Sequence, residues 1–220
     1  MSGLGNSLPE DGGLSGWRAV DAELRVNTVR ILAIAGFYAI HSLHYYAPRL
    51  GASVDWLGFD SAKSLPESAH LAVTVLALGW LMQAFAVHFM LQQRRAPDWL
   101  ATATTLGDLV WLTAILTLST GPGSPMVAGY FLILITTGLR FNLRLVRVST
   151  LATVAAYLLL LGAAKWPRGL LKQVDLETVP RHQQLMIVLA LIFSGLLIGQ
   201  IVRHGYAIAD EISQRQKSKK

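Results

Sequence analysis

The chain is organised as long apolar runs separated by short polar punctuation. Six runs approach the roughly 20 residues that a helix needs to cross about 30 Å of hydrocarbon. They cover 27–47, 68–91, 98–119, 125–140, 144–164 and 183–204, the fourth being short. Apolar residues continue through each run instead of alternating, which favours helices over barrel strands, since lipid offers backbone groups no partner. Ala96-Pro97-Asp98 sets a proline near the first turn of the third helix, and Gly121-Pro122-Gly123-Ser124-Pro125 is a tight turn. The pattern therefore predicts an all-α fold, a polytopic integral membrane six-helix bundle over 27–204. Residues 1–26 form an N-terminal segment and 205–220 a helical tail or coiled-coil stub.

Composition sharpens this picture. Of 220 residues, 53% are hydrophobic and 15% charged, and the mean hydropathy is +0.45. Soluble domains carry about a quarter charged residues, so the chain lacks the polar surface for water. No cysteine is present, which excludes disulfides, iron–sulfur clusters, thiolate zinc sites and cysteine-linked haem. The formal charge of +6 would suit nucleic acid, but the cations stand in short runs between apolar stretches, as topology signals do. With the N-terminus in the cytoplasm, 13 of the 19 Lys and Arg fall on the inner face. Both termini are thus expected to be cytoplasmic. Residues 1–26 have no apolar core and do not read as a signal peptide, although 17–24 would suit an amphipathic helix on the headgroups. The outer segments 48–67 and 165–181 would cover the mouth of the bundle. Beyond the last span Ile201, Ile208 and Ile212 fall on a seven-residue seam with Gly205 between. That seam is either the start of a parallel coiled coil, hence a homodimer, or a plain basic tail.

All six histidines lie in or beside the spans. Ionisable groups in a bilayer are costly and tend to mark function, and neutral imidazole is the usual nitrogen ligand of haem iron. His41, His44, His70 and His182 stand towards the outer face, His88 and His204 towards the inner. His70 and His88 are separated by roughly five full turns, about 27 Å, and so share a helix face. This two-tier layout predicts two bis-histidine sites, His44 with His70 outside and His88 with His204 inside. His41 is the alternate in the outer pair, and His182 ranks lower because it lies about 33 Å from His204 along one helix. Each histidine alone also reads as an interfacial polar residue.

Asp108 lies near mid-depth of the third span, with Trp111 one turn on. Together they are candidates for a quinone carbonyl or a proton path. The structural alternative is an interhelical bond from Asp108 to a hydroxyl, an indole or Arg140. Arg30, Arg94, Arg95 and Arg203 inside, and Arg49 outside, would meet haem propionates or simply snorkel. Trp80, Trp166, Tyr45 and Tyr206 read mainly as interfacial anchors. No phosphate loop, zinc motif or nucleophile elbow is present, so hydrolase and transferase chemistry is not expected.

The combination of Asp108 and Trp111, the Gly121–Pro125 turn, Tyr130-Phe131-Leu132, Leu139-Arg140-Phe141 and the edge histidines resembles a known group. It is similar to the six-helix diheme-b membrane anchors of bacterial adenylate cyclases and to the quinone-responsive regions of related sensor kinases. The likeness covers roughly residues 27–210. It implies two haem b cofactors, quinone as ligand, the bacterial inner membrane, and relay of redox state to a cytoplasmic output domain. The sequence reaches Lys220 without such a domain, so the expected output is a separate partner or the chain is an isolated anchor. Two other functions fit the same residues: a quinol-oxidising cytochrome b subunit, and a haem-free membrane receptor or scaffold.

Overall fold

A computed structural model describes residues 10–46, 67–93, 97, 99–119, 121–166 and 179–218, with side chains beginning at Val20. The described residues are helical apart from turns. The helices are α1 (Glu10–Tyr46), α2 (Glu67–Gln92), α3 (Leu100–Leu118), α4 (Ala128–Gly138), α5 (Leu143–Lys165) and α6 (Arg181–Lys217). Two short 3-10 turns, Gly121–Gly123 and Pro125–Val127, join α3 to α4.

Successive helices run antiparallel, as their contacts record. On α1 and α2, Asn27 reaches Ala84, Tyr38 reaches Thr74 and His41 reaches His70. Gly79 and Gly107 bring α2 and α3 together against Trp111 and Gln83 respectively. Leu112 faces Gly129 on α4 while Ala101 bonds Arg140 just beyond that helix. α5 and α6 meet at Thr150 with Gly195, and Phe141, in the turn before α5, approaches Gly205. α1 packs on α2, α2 on α3, α3 on α5, and α6 mainly on α5 and α4.

Five helical stretches are long and apolar enough to cross a membrane: Val20–Leu43, Glu67–Gln92, Leu100–Leu118, Leu143–Lys165 and Arg181–Gln216. The expected fourth span is the exception. Its α-helix has only 11 residues, about 16 Å of rise, preceded by the 3-10 turns. Ser124 caps this segment by accepting from the Met126 N–H, and Pro125 opens it. Gly121 takes a left-handed conformation at φ 77°, which a residue without Cβ adopts at no steric cost. The expected start of the first span also moves: α1 begins at Glu10, and its membrane-length apolar stretch at Val20, seven residues before position 27.

Why so many residues are apolar is plain on α2. Val73, Ala77, Trp80, Ala84, Val87 and Leu91 form one stripe at alternating three- and four-residue spacing and are buried. Leu71, Val75, Leu78, Met82, Phe85 and Phe89 form a second stripe on the opposite side and are exposed, Met82 by 71%. The inner stripe is what any packed helix needs. The outer one has no place in water and suits lipid, as in a multi-pass membrane bundle. Its core centres on Trp80, Leu112, Leu116, Tyr130, Leu134 and Tyr157.

Candidate functional site

The most developed polar structure is a buried charge network at the arginine-rich half of the bundle. Glu23, Asn27 and Arg30 stand on one face of α1, four and three residues apart. The Arg30 Nε donates to Asp108 Oδ2 at 2.8 Å, and both side chains are 6% exposed. Trp80 Nε1 donates to the other carboxylate oxygen at 2.9 Å. Arg30 Nη1 donates to Asn27 Oδ1 at 2.7 Å, and Asn27 Nδ2 in turn donates to the Ala84 carbonyl at 3.0 Å. Three helices are thus joined through one carboxylate and one guanidinium.

A second pair sits one to two turns towards the arginine-rich end. Arg140, in the turn between α4 and α5, lies with its Nε 2.9 Å from Glu23 Oε1, an ion pair set off the N–H axis. Its Nη1 donates to the Ala101 carbonyl at 2.9 Å and to Thr105 Oγ1 at 2.7 Å, and its Nη2 to Thr104 Oγ1 at 3.2 Å. Burial pulls the Arg140 guanidinium below its ordinary value, and the Glu23 carboxylate works against that shift. A guanidinium keeps its proton in proteins, so each pair places a cation in the interior. Such pairs are hard to establish in low dielectric but very costly to break by halves.

This arrangement revises several expectations. Asp108 bonds an indole, but its arginine is Arg30, while Arg140 is taken by Glu23. Trp80 is a buried donor to that carboxylate, 5% exposed, and not an interfacial anchor. Trp111 is half-buried and donates to Gln83 Oε1 at 2.6 Å. Both oxygens of Asp108 accept hydrogen bonds, and the indole N–H of Trp111 is given to Gln83. Sequence reasoning missed Glu23, Asn27 and Gln83. The signal for the first two is the 23, 27, 30 spacing of polar residues on a helix that continues into apolar sequence.

At the opposite end His41, the alternate in the outer pair, meets His70. His41 Nε2 lies 3.1 Å from His70 Nδ1, both residues are buried, and the rings are inclined by only 12°. Tyr45 stacks on His70 with centroids 3.6 Å apart. The side chain of His44, and all of Arg49, Arg94 and Arg95, lie outside the described residues. Iron between two imidazoles would need a metal–nitrogen bond of roughly 2 Å on each side and a macrocycle between the rings. A direct contact of 3.1 Å leaves no place for either. The enclosed space beside His41, walled by Ile34, Phe37, Trp80, Ile115 and Met126, is about 10 Å³, room for about one water. Packed this way, these residues do not fit a haem.

The inner pair is not brought together as neighbours. His88 on α2 is half-buried, with Nε2 3.1 Å from Gln92 Nε2 and Nδ1 buried without a hydrogen-bond partner. His204 is exposed on α6, as is His182 at that helix's start, and α6 packs mainly on α5 and α4. Among the described residues no group of three or more His, Cys, Asp or Glu could hold a metal ion.

Two clefts lie between α5 and α6. One, of about 510 Å³, lies beside the Gly121–Gly123 turn and is walled by Pro122, Leu158, Leu161, Trp166, Pro180 and Gln184. The other, of about 500 Å³, opens towards the arginine-rich end, where Arg147 and Arg203 border it. Both fall in the range of small-molecule sites. Comparison with protein-family models, with curated proteins and with solved structures finds no match for this chain.

Proposed function

We propose that this chain is the membrane domain of a quinone-responsive redox sensor in a bacterial inner membrane, relaying its state to a cytoplasmic output domain or partner. The observation that carries the reading is the cleft beside the Gly121–Gly123 turn. Leu158 and Leu161 supply an apolar wall, Trp166 a ring face, and Lys165, Arg181 and Gln184 polar groups at the rim. A flat, lipid-soluble ring with two carbonyl acceptors matches that combination. α6 borders the cleft at its start and then runs 37 residues, about 55 Å, well beyond the hydrocarbon thickness. A helix this long would carry a small displacement at one end to the other.

The far part of α6 is also held at one point. Phe141, a non-glycine residue at φ 48°, accepts a hydrogen bond from the Tyr206 hydroxyl through its carbonyl, and its ring lies against Gly205. A bulky residue in that conformation is held there by its surroundings. The contact would let α6 switch between docked and released positions. Ile201, Ile208 and Ile212 are exposed on the same helix, and a second copy would cover them in a homodimer. The function proposed is haem-free, a reading supported by the direct contact between His41 and His70. The test is photolabelling with an azido-quinone in native-like membranes. Label on the peptides carrying Trp166 or Gln184, competed by unlabelled quinone, supports the site; label confined to other helices overturns it. Two haems per chain, lost on His70→Ala, would overturn the haem-free reading.

A further inference from the structure

The α5–α6 cleft at the arginine-rich end is a different structure from the one assigned to quinone. Its floor is formed by Val146, Leu151, Val154 and Leu196, and its end by Arg147, Gln200 and Arg203. Gly195 and Gly199 explain why it exists. A Cβ on Gly195 would lie 2.2 Å from Thr150 Oγ1, so the helices cross in contact there. One turn further on, a Cβ on Gly199 would meet nothing within 4 Å. Since both glycines stand on one face, the helices have parted by that turn, and the trough opens towards the arginines.

The charges at its end are unspent. Among the described residues neither Arg147 nor Arg203 forms an ion pair, and both are exposed, whereas Arg30, Arg140 and Arg215 each have a carboxylate. Among the described residues no acidic side chain lines the cleft. Asp210 and Glu211 follow Arg203 by about two turns, roughly 10–12 Å along α6, and Glu211 is paired with Arg215. Two planar cations above an apolar trough match one kind of amphiphile: an anionic phosphate head with acyl chains attached. A zwitterionic lipid brings no net charge to the arginines, and a free anion leaves the trough unfilled.

We propose that this cleft is a binding site for one acidic phospholipid of the arginine-rich leaflet, its phosphate between Arg147 and Arg203 and an acyl chain along Val146, Leu151 and Leu196. The lipid fills the gap where α5 and α6 part, and so ties the position of α6 to the charge of the leaflet. The proposal is independent of quinone binding at the other end.

The test reconstitutes the full chain in phosphatidylcholine vesicles with and without phosphatidylglycerol, followed by gentle extraction and native mass spectrometry of retained lipid. One phosphatidylglycerol per chain is expected. Arg147→Gln and Arg203→Gln should each lower its retention roughly 5-fold, and the double variant on the order of 25-fold, the weight of a surface arginine towards an anionic lipid. Gly199→Phe keeps both cations but fills the trough, and should abolish retention. Arg144→Gln, an exposed cation outside the cleft, should leave retention unchanged. Equal losses with Arg144→Gln, full retention by Gly199→Phe, or displacement of the lipid by millimolar inorganic phosphate would each overturn the site. A circular-dichroism check that each variant stays helical separates these outcomes from misfolding.

Discussion

The two sides of this bundle solve the same problem in opposite ways. Around Asp108, α1, α2 and α3 are joined by hydrogen-bonded polar groups, an arginine and a carboxyl among them. Between α5 and α6 the contact is made through glycine and threonine, and gives way to open clefts on either side. Hydrocarbon gives helices no hydrophobic reason to associate, so polar bonds and close backbone packing must do so. The first arrangement is rigid because any relative movement leaves a charge unpaired. The second carries no such charge at its crossing point. The lesson is that polar bonding joins α1–α3, whereas close backbone contact beside open space joins α5 and α6.

Breaking the first side should have the largest effect. Asp108→Leu leaves Arg30 buried without its carboxylate and should cost about 3–5 kcal/mol, seen as loss of folded protein or a large drop in melting temperature. The paired change Arg30→Met with Asp108→Leu should restore most of that, since two apolar groups need no partner. If the double variant is as unstable as the single one, the network is not the ionic lock described. Next comes the crossing point of the second side. Gly195→Leu forces a side chain into Thr150 and should cost about 1–3 kcal/mol, measured by thermal unfolding in the same detergent.

The histidine pair lies between the extremes. His41→Ala removes one interhelical hydrogen bond and should cost on the order of 0.6 kcal/mol; a loss of several kcal/mol, or of a bound chromophore, would reveal a site beyond that bond. The smallest change is expected at Gly199. Replacement by Ala meets open space and trades glycine for a better helix former, so stability should stay level or rise by up to about 1 kcal/mol. A marked loss there would mean that α5 and α6 close together and that the cleft is not a feature of the folded chain.

Much of this was legible in the sequence, and what was not has physical causes. Long apolar runs announce spanning helices because a bilayer demands length and backbone self-sufficiency. Proline and glycine at 121–125 announce the turn, since their backbone preferences are local. The short α4 was visible as a weak run, but whether it spans was not, because its helix starts only after two 3-10 turns. Asp108 was recognisable as an intramembrane carboxylate, and its partner was misjudged. Arg30 and Arg140 are both plausible by depth, and helix rotation alone chose between them.

Residue types and their periods were therefore enough to make a helical membrane bundle with an arginine-rich end. Which polar groups meet was not encoded in any single stretch. It depends on the rotation and separation of helices, set by features such as Gly79 against Trp111 and Gly195 against Thr150. The histidines show the limit best. Depth along a helix placed several of them at comparable levels, and only the packing of α1 on α2 brings His41 against His70.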